Sequence, residues 1–215
     1  MPKHYKKKYK KKTSFLSKAQ RVAGTAYKAY QIAKFVKSVV NVEKKKIDFT
    51  YDAELLNTGN VLHCNAIGVG TGYNARTGNS IKMKTLLIRG TLRVATTTPT
   101  DCFVRMMLLY DKQQVPDTPV ALTDILGASF GIPTPLNQET LGRYTVIRDK
   151  TWSLAVGEYG KSFKMYIKVP QHARYNGSQT SDIQKNGLWL CFFSNETTGK
   201  APLLNYHVRL SYIDN

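Results

Sequence analysis

Residues 161–170 read KSFKMYIKVP, and their alternation decides the fold. Phe163, Met165, Ile167 and Val169 fall on one side of an extended chain, while Lys164, Tyr166 and Lys168 fall on the other. Successive side chains of a strand point to opposite faces, so this is a strand with one face in a core and one in water. A helix is excluded, because Pro170 follows Ser162 by eight residues and a 3.6-residue period would scatter the apolar side chains.

Working outward, the same period recurs. LLIRGTLRV (86–94) sets Leu86, Ile88, Leu92 and Val94 on one face, and NYHVRLSYID (205–214) does so with Tyr206, Val208, Leu210 and Tyr212. DCFVRMMLLY (101–110) and LWLCFFS (188–194) are more continuously apolar, as strands packed on both faces are. RYTVIRDKTWSLAV (143–156), IDFTYDAELL (47–56) and VLHCNAI (61–67) complete the set. Turn residues separate these runs at Asn57-Thr58-Gly59, Thr77-Gly78-Asn79, Thr98-Pro99, Gly157–Gly160, Asn176-Gly177, Asn186-Gly187 and Thr198-Gly199. Only ALTDILGA (121–128) suggests a short helix. Seven to nine strands with irregular loops predict an all-β, antiparallel sandwich or jelly roll.

The first forty-six residues belong to a different class. The 215-residue chain carries a net charge of +18. Residues 1–46 hold fourteen lysines and Arg21 against Glu43, or +14, whereas residues 47–215 hold seventeen basic and thirteen acidic residues, or +4. This predicts a basic arm, 1–46, and a globular domain, 47–215, ample for one core. The opening MPKHYKKKYKKK is low-complexity and reads as disordered. Residues 14–40 read as a helix with Ala19, Ala23, Ala26, Tyr30 and Ala33 on one face and Ser14 or Ser17 as a cap. Ile32, Phe35 and Val39 lie off that face, so the helix is expected to form against a partner.

Charge and cysteines exclude several classes. Lys18, Arg21, Lys28, Lys34 and Lys37 interrupt any apolar run, which argues against a secretory signal and a membrane span. Cys64, Cys102 and Cys191 are odd in number and widely spaced, which fits reduced thiols and neither a disulfide framework nor a metal site. AVGEYGKS (155–162) imitates a phosphate-binding loop, but such a loop needs a helix after it, and a strand follows Ser162. GEYG is therefore expected to be a hairpin turn, and Lys161 a surface charge. GVGTGYNARTG (68–78) has Tyr73 where the third glycine of a dinucleotide fingerprint belongs, and reads as a flexible surface loop. His4, His63, His172 and His207 have no metal spacing, and no nucleophile stands in a catalytic setting. A non-enzymatic protein without cofactor or metal is expected.

A block of like charge stays solvated or meets a polyanion. Tyr5 and Tyr9 interleave with the lysines, placing rings for base stacking beside cations for phosphate. Fourteen lysines to one arginine favour sequence-blind phosphate contact over base reading. The expected phosphate contacts are Lys3, Lys6, Lys7, Lys8, Lys10, Lys11 and Lys12, backed by Lys18, Arg21, Lys28, Lys34 and Lys37. KHYKKKYKKK also fits a nuclear localisation signal. Arg89, Arg93 and Arg209 fall on polar strand faces.

RTGNSIKMKTLLIRGTLRV (76–94) resembles a strand pair of geminivirus-type coat proteins, in which an Arg-Thr-Gly turn leads into a basic, then aliphatic, strand. RYTVIRDKT (143–151) resembles their Arg-Tyr-x-Val-x-Arg strand, and NGLWLCFFSN with LLNYHVRLSYIDN (186–215) resembles their last two strands. The wider group is the capsid proteins of small circular single-stranded DNA viruses, geminivirus- or circovirus-like. The resemblance implies an eight-stranded jelly roll, an icosahedral T=1 shell of about sixty copies, a packaged single-stranded genome, DNA ahead of RNA, and entry into the host nucleus through import receptors. On this reading Arg89, Arg93 and Arg209 line the lumen. The virion and the host nucleus are the expected locations, and no membrane is expected. The alternatives are an RNA-packaging satellite-virus jelly roll, a cellular nucleic-acid-binding β-barrel module, a secreted jelly-roll ligand, and a membrane-lytic role for residues 14–40. The cellular module needs aromatic and basic residues on one exposed sheet face, whereas in the sequence the basic cluster lies outside the strands.

Overall fold

The computed structural model describes residues 25–32, 44–95, 99–113, 118–158 and 160–214. The chain divides into two compact units, Met1–Val42 and Glu43–Asn215. In the first, residues 25–32 form helix α1, exposed along its whole length, with Tyr27, Tyr30 and Ile32 each more than half accessible. The remainder of the helix expected over 14–40 lies outside the described residues.

The second unit is built from β1 (Lys44–Glu54), β2 (Asn60–His63), β3 (Ser80–Arg93), β4 (Cys102–Asp111), α2 (Leu122–Leu126), β5 (Tyr144–Leu154), β6 (Lys161–Lys168), β7 (His172–Tyr175), β8 (Ile183–Lys185), β9 (Gly187–Ser194) and β10 (Leu203–Asp214). Lys44, Lys45 and Lys46, counted with the arm on charge, are the opening residues of β1. One antiparallel sheet runs β1-β10-β3, with β6 and β7 both paired to β3 and β8 beyond β7; the other runs β2-β9-β4-β5. β6 covers Thr85–Leu92 of β3 and β7 covers Ser80–Lys82. The gap at Pro170 is bridged by bonds from Val169 N to Lys84 O and from Met83 N to Gln171 O, both 2.9 Å. A proline has no ladder donor, so β6 and β7 form one strand position broken where the donor is missing. With the three-residue β8 a short addition at the edge beside β7, that leaves four principal positions facing four. The chain changes sheets from β1 to β2, β2 to β3, β3 to β4, β5 to β6, β8 to β9 and β9 to β10, while β4 and β5 pair with each other. This is the eight-stranded jelly roll.

The core lies between the sheets. β3 contributes Ile81, Met83, Leu86, Ile88 and Leu92, and β10 contributes Leu204, Tyr206, Val208, Leu210 and Tyr212, all inaccessible or nearly so. Phe192 of β9 stacks on Tyr206 at 5.2 Å between ring centroids. Phe163 of β6 lies between Trp152 and Phe192 at 5.1 and 6.0 Å. Gly90 takes an inward position of β3, where a Cβ would stand 2.5 Å from the Phe163 ring, so the missing side chain is what admits that ring.

β9 is buried throughout, and β4 at every residue but Phe103, because they have apolar neighbours on both faces. Met107, Leu109, Trp189, Cys191 and Phe193 point away from the first core into a second cluster with Val120, Leu122, Ile125, Leu126 and Tyr144. The β4–β5 connection, with α2 in it, is the lid over the four-stranded sheet.

Four expectations are corrected. Residues 76–94 contain one long strand, β3, and no strand pair, since Ile81 and Met83 extend the inward alternation back to Ser80. In the run 61–67 the strand stops at His63, after which residues 64 and 65 turn. The turn at Gly157–Gly160 is no hairpin. β5 pairs with β4 and β6 with β3, so it is a corner between sheets. Gly160 has φ of 114° there, and its backbone sits against Leu92 O where a Cβ would meet it at 2.5 Å. The loop at 68–78 is organised around the fully buried Arg76. Its Nε donates to Ile67 O (2.8 Å) and its Nη1 to Gly78 O (2.7 Å). Nη2 donates to Gly177 O, and the guanidinium lies 4.0 Å over the Tyr175 ring.

Candidate nucleic-acid interface

Of the expected phosphate contacts, Lys28 lies on α1, exposed to water. Lys3, Lys6, Lys7, Lys8, Lys10, Lys11, Lys12, Lys18, Arg21, Lys34 and Lys37 lie outside the described residues, as do Tyr5 and Tyr9.

The second unit carries a basic surface of its own. Burial of the even-numbered residues 204–212 turns the odd-numbered residues of β10 outward. The pairing registers then place four rungs across the outer face of the six-stranded sheet. They are Thr50–His207–Arg89–Lys164, Asp48–Arg209–Leu87–Tyr166, Lys46–Ser211–Thr85–Lys168 and Lys44–Ile213–Lys82–His172. These rungs hold seven lysines and arginines and one acid, Asp48. The basic residues therefore lie on an exposed sheet face as well as in the arm, contrary to the expectation used against a cellular module. The structure adds Tyr166 to that face, two-thirds accessible.

The rungs differ in how free their cations are. Arg209, expected to line the lumen, grips Asp48 through two bonds, Nε to Oδ1 at 2.7 Å and Nη2 to Oδ2 at 2.6 Å. His207 Nε2 stands 3.7 Å from the same carboxylate. The Arg209 bond is the main reason the Asp48 carboxyl titrates below the usual range. Arg89 and Arg93 are exposed, and Arg89 is directly opposite Lys164, with His207 on its other side. Arg89, Lys164 and Lys168 make no ion pair with any described residue. Like charges directly opposed across strands are destabilising unless something neutralises them.

Elsewhere, arginines act as structural clamps. Arg105 meets Asp149 at 3.0 and 2.6 Å and also donates to Ile132 O and Thr134 O, which pins the lid. Arg143 meets the wholly buried Asp111 at 2.8 and 2.5 Å. Lys45 Nζ lies 3.1 Å from Asp214 Oδ2, which also accepts from Thr77 N and Oγ1 at 2.6 Å each, so the root of β1, the 68–78 loop and β10 are tied together. Burial raises the Asp214 carboxyl, and the Thr77 and Lys45 bonds outweigh it, leaving the group below its ordinary value. None of these pairs was legible in sequence, because the partners lie 32 to 169 residues apart. Lys161 is held by Glu158 at 3.2 Å and by Ser153 O, and β6 begins at this residue, so no helix N-terminus follows the AVGEYGKS loop. All three cysteines are buried free thiols, with Cys102 pushed up to about 11 and Cys191 to about 12 by desolvation.

No protein-family model matches the chain, and no curated protein matches it in sequence. Among solved structures it is similar to Desmodium yellow mottle tymovirus, at 10% identity over 80% of this chain and 87% of that one, with a TM-score of 0.36. It is similar to Broad Bean Stain Virus at 13% identity over 78% and 84%, with a TM-score of 0.33. It is similar to the 60-mer BFDV capsid protein at 10% identity over 79% and 90%, with a TM-score of 0.27.

Proposed function

We propose that this chain is a non-enzymatic viral capsid protein, whose jelly roll assembles into a small icosahedral shell of about sixty copies and whose lysine-rich arm packages a single-stranded genome, DNA ahead of RNA. The observation that carries the reading is the division of labour along the chain. Residues 1–42 hold twelve basic residues and no acid, while residues 43–215 hold twenty basic and fourteen acidic residues in a rigid sandwich. Copies of a nearly balanced body can meet without strong same-sign repulsion, and the concentrated charge of the arm is available to phosphate. Virion location, and nuclear entry through KHYKKKYKKK, belong to the same reading. Electron microscopy and sedimentation of the purified protein, with and without a single-stranded oligonucleotide and over a range of salt, test it. Closed particles are expected. A protein that stays monomeric under all these conditions overturns it.

A cellular single-strand-binding module is the second reading, favoured by one observation: basic side chains and Tyr166 share an exposed sheet face. It predicts discrete monomer–strand complexes and no particles in the same experiment.

A further inference from the structure

We propose that the outer face of the six-stranded sheet is a second nucleic-acid site, distinct from the arm, which takes a single strand with phosphates on the Arg89–Lys164 and Lys46–Lys168 rungs and a base on Tyr166. It rests on the reading that a single-stranded nucleic acid is the ligand, and it assigns part of the binding to a different surface.

Three features converge on this face. The first is its unbalanced charge. Asp48 is the one acid in four rungs and is engaged by Arg209, so Arg89, Lys164 and Lys168 are left without counter-charge from any described residue. The arm has the same sign and adds no counter-charge beyond Glu43 at its end. The second is the order of the rungs. The middle rung, Asp48–Arg209–Leu87–Tyr166, has its arginine neutralised and presents an aliphatic and an aromatic side chain at adjacent positions. The cationic rungs lie on either side of it. Same-face residues of a strand are about 6.8 Å apart, so the flanking cations stand roughly 14 Å apart with the ring between them. A ring with flanking cations is the arrangement that binds single strands without regard to sequence, the ring stacking a base and the cations taking the backbone. A duplex, whose bases are stacked internally, has no base to offer Tyr166.

The third feature is a groove of about 390 Å³ beside this site, between the edges of the two sheets. Lys164, Tyr166 and Lys168 line one side, and Arg148 of β5 stands on the other. The groove gives a strand leaving Tyr166 a further cation to follow. The opposite sheet has no equivalent surface, because its outward face is packed under the β4–β5 lid.

The experiment uses the full-length protein and a charge variant, Arg89→Gln/Lys164→Gln/Lys168→Gln, titrated with salt on single-stranded deoxy- and ribo-oligomers and on a duplex. With the arm intact, three lost phosphate contacts should reduce the magnitude of the log-affinity against log-salt slope on single strands by about 2. Tyr166→Ala should weaken single-strand binding about tenfold and leave duplex binding unchanged, while Tyr166→Phe should bind as the parent does. Parallel losses on deoxy- and ribo-oligomers are expected, because ring and cations are indifferent to the sugar. Photo-crosslinking of the unsubstituted protein to a halogenated strand should label the peptide 164–168. An unchanged slope in the charge variant, equal binding by Tyr166→Ala and Tyr166→Phe, or crosslinks confined to residues 1–42 would each overturn the second site. Particle formation, read alongside, separates the two failures. Particles that form and bind without using the face sink only this inference, whereas an unsubstituted protein that neither assembles nor binds sinks the capsid reading and the inference with it.

Discussion

The two sheets of this sandwich share a core but differ on their outward faces. The four-stranded sheet turns Met107, Leu109, Trp189, Cys191 and Phe193 outward and buries them beneath the β4–β5 connection. The six-stranded sheet turns Lys44, Lys46, Lys82, Arg89, Lys164 and Lys168 outward and, among the described residues, has no such lid. The difference shows how one fold separates stability from charge. An outward apolar row must be covered, and Val120, Leu122, Ile125 and Leu126 of the connection between β4 and β5 cover it. An outward charged row needs no cover, because its desolvation would cost more than packing returns. Cations can therefore accumulate on the bare face without disturbing the core.

The largest effect should come from removing the arm. If about seven lysines of the arm engage a single strand, they should contribute about −5 to the slope of log affinity against log salt, about a thousandfold between 50 and 200 mM. Deleting residues 1–42 should leave a much shallower slope and a β-type circular dichroism spectrum. A truncated protein that keeps the full slope would make the bare face the principal site.

The lid sharpens the comparison through stability. Phe193 is inaccessible and meets Phe130 edge-on at 5.4 Å, so Phe193→Ala should cost about 3–5 kcal/mol in urea unfolding. Tyr166→Ala on the bare face should cost no more than about 0.5 kcal/mol. Equal losses would mean that the two faces are not differently covered.

A histidine at the covered face gives a smaller, pH-dependent effect. His63 stacks on Trp189 at 4.1 Å, and burial lowers it to about 4. Unfolded, it takes up a proton near its ordinary value of about 6.5, so across that window the unfolded chain binds more protons. Stability from this group is full above the upper value, declines as pH falls toward the lower one, and levels off below it. His63→Phe keeps a ring on Trp189 and removes the titration, so the drop in urea midpoint between pH 7 and pH 5 should shrink. An unchanged drop would assign the pH dependence to other groups.

The smallest effect is expected at Lys161. Its ion pair with Glu158 is exposed, and surface pairs contribute little, so Lys161→Ala should leave unfolding and strand affinity nearly unchanged. Nucleotide turnover that this substitution abolished would contradict the corner between β5 and β6.

Much of the fold was legible because alternation is local. KSFKMYIKVP, NYHVRLSYID and the unbroken LWLCFFS declared one-sided and two-sided strands, and ALTDILGA declared α2. The charge division between arm and body was likewise plain from counting residues. What the sequence could not show was set by contacts between distant residues. Arg76 among glycines reads as a loop residue until Tyr175 and Gly177, a hundred positions away, enclose it. The hairpin expected at Gly157–Gly160 became a corner because β6 finds its ladder on β3 and not on β5, a choice made by sheet pairing. The bare face could be found only after register aligned Arg89 with Lys164 and Leu87 with Tyr166. The sequence alone determined which side of each strand is apolar, since that depends on neighbours two residues apart. Only the tertiary structure decided which polar sides share a face, and which of their cations Asp48 neutralises, since those depend on strands whose residues paired in the four rungs lie 75 to 169 positions apart along the chain.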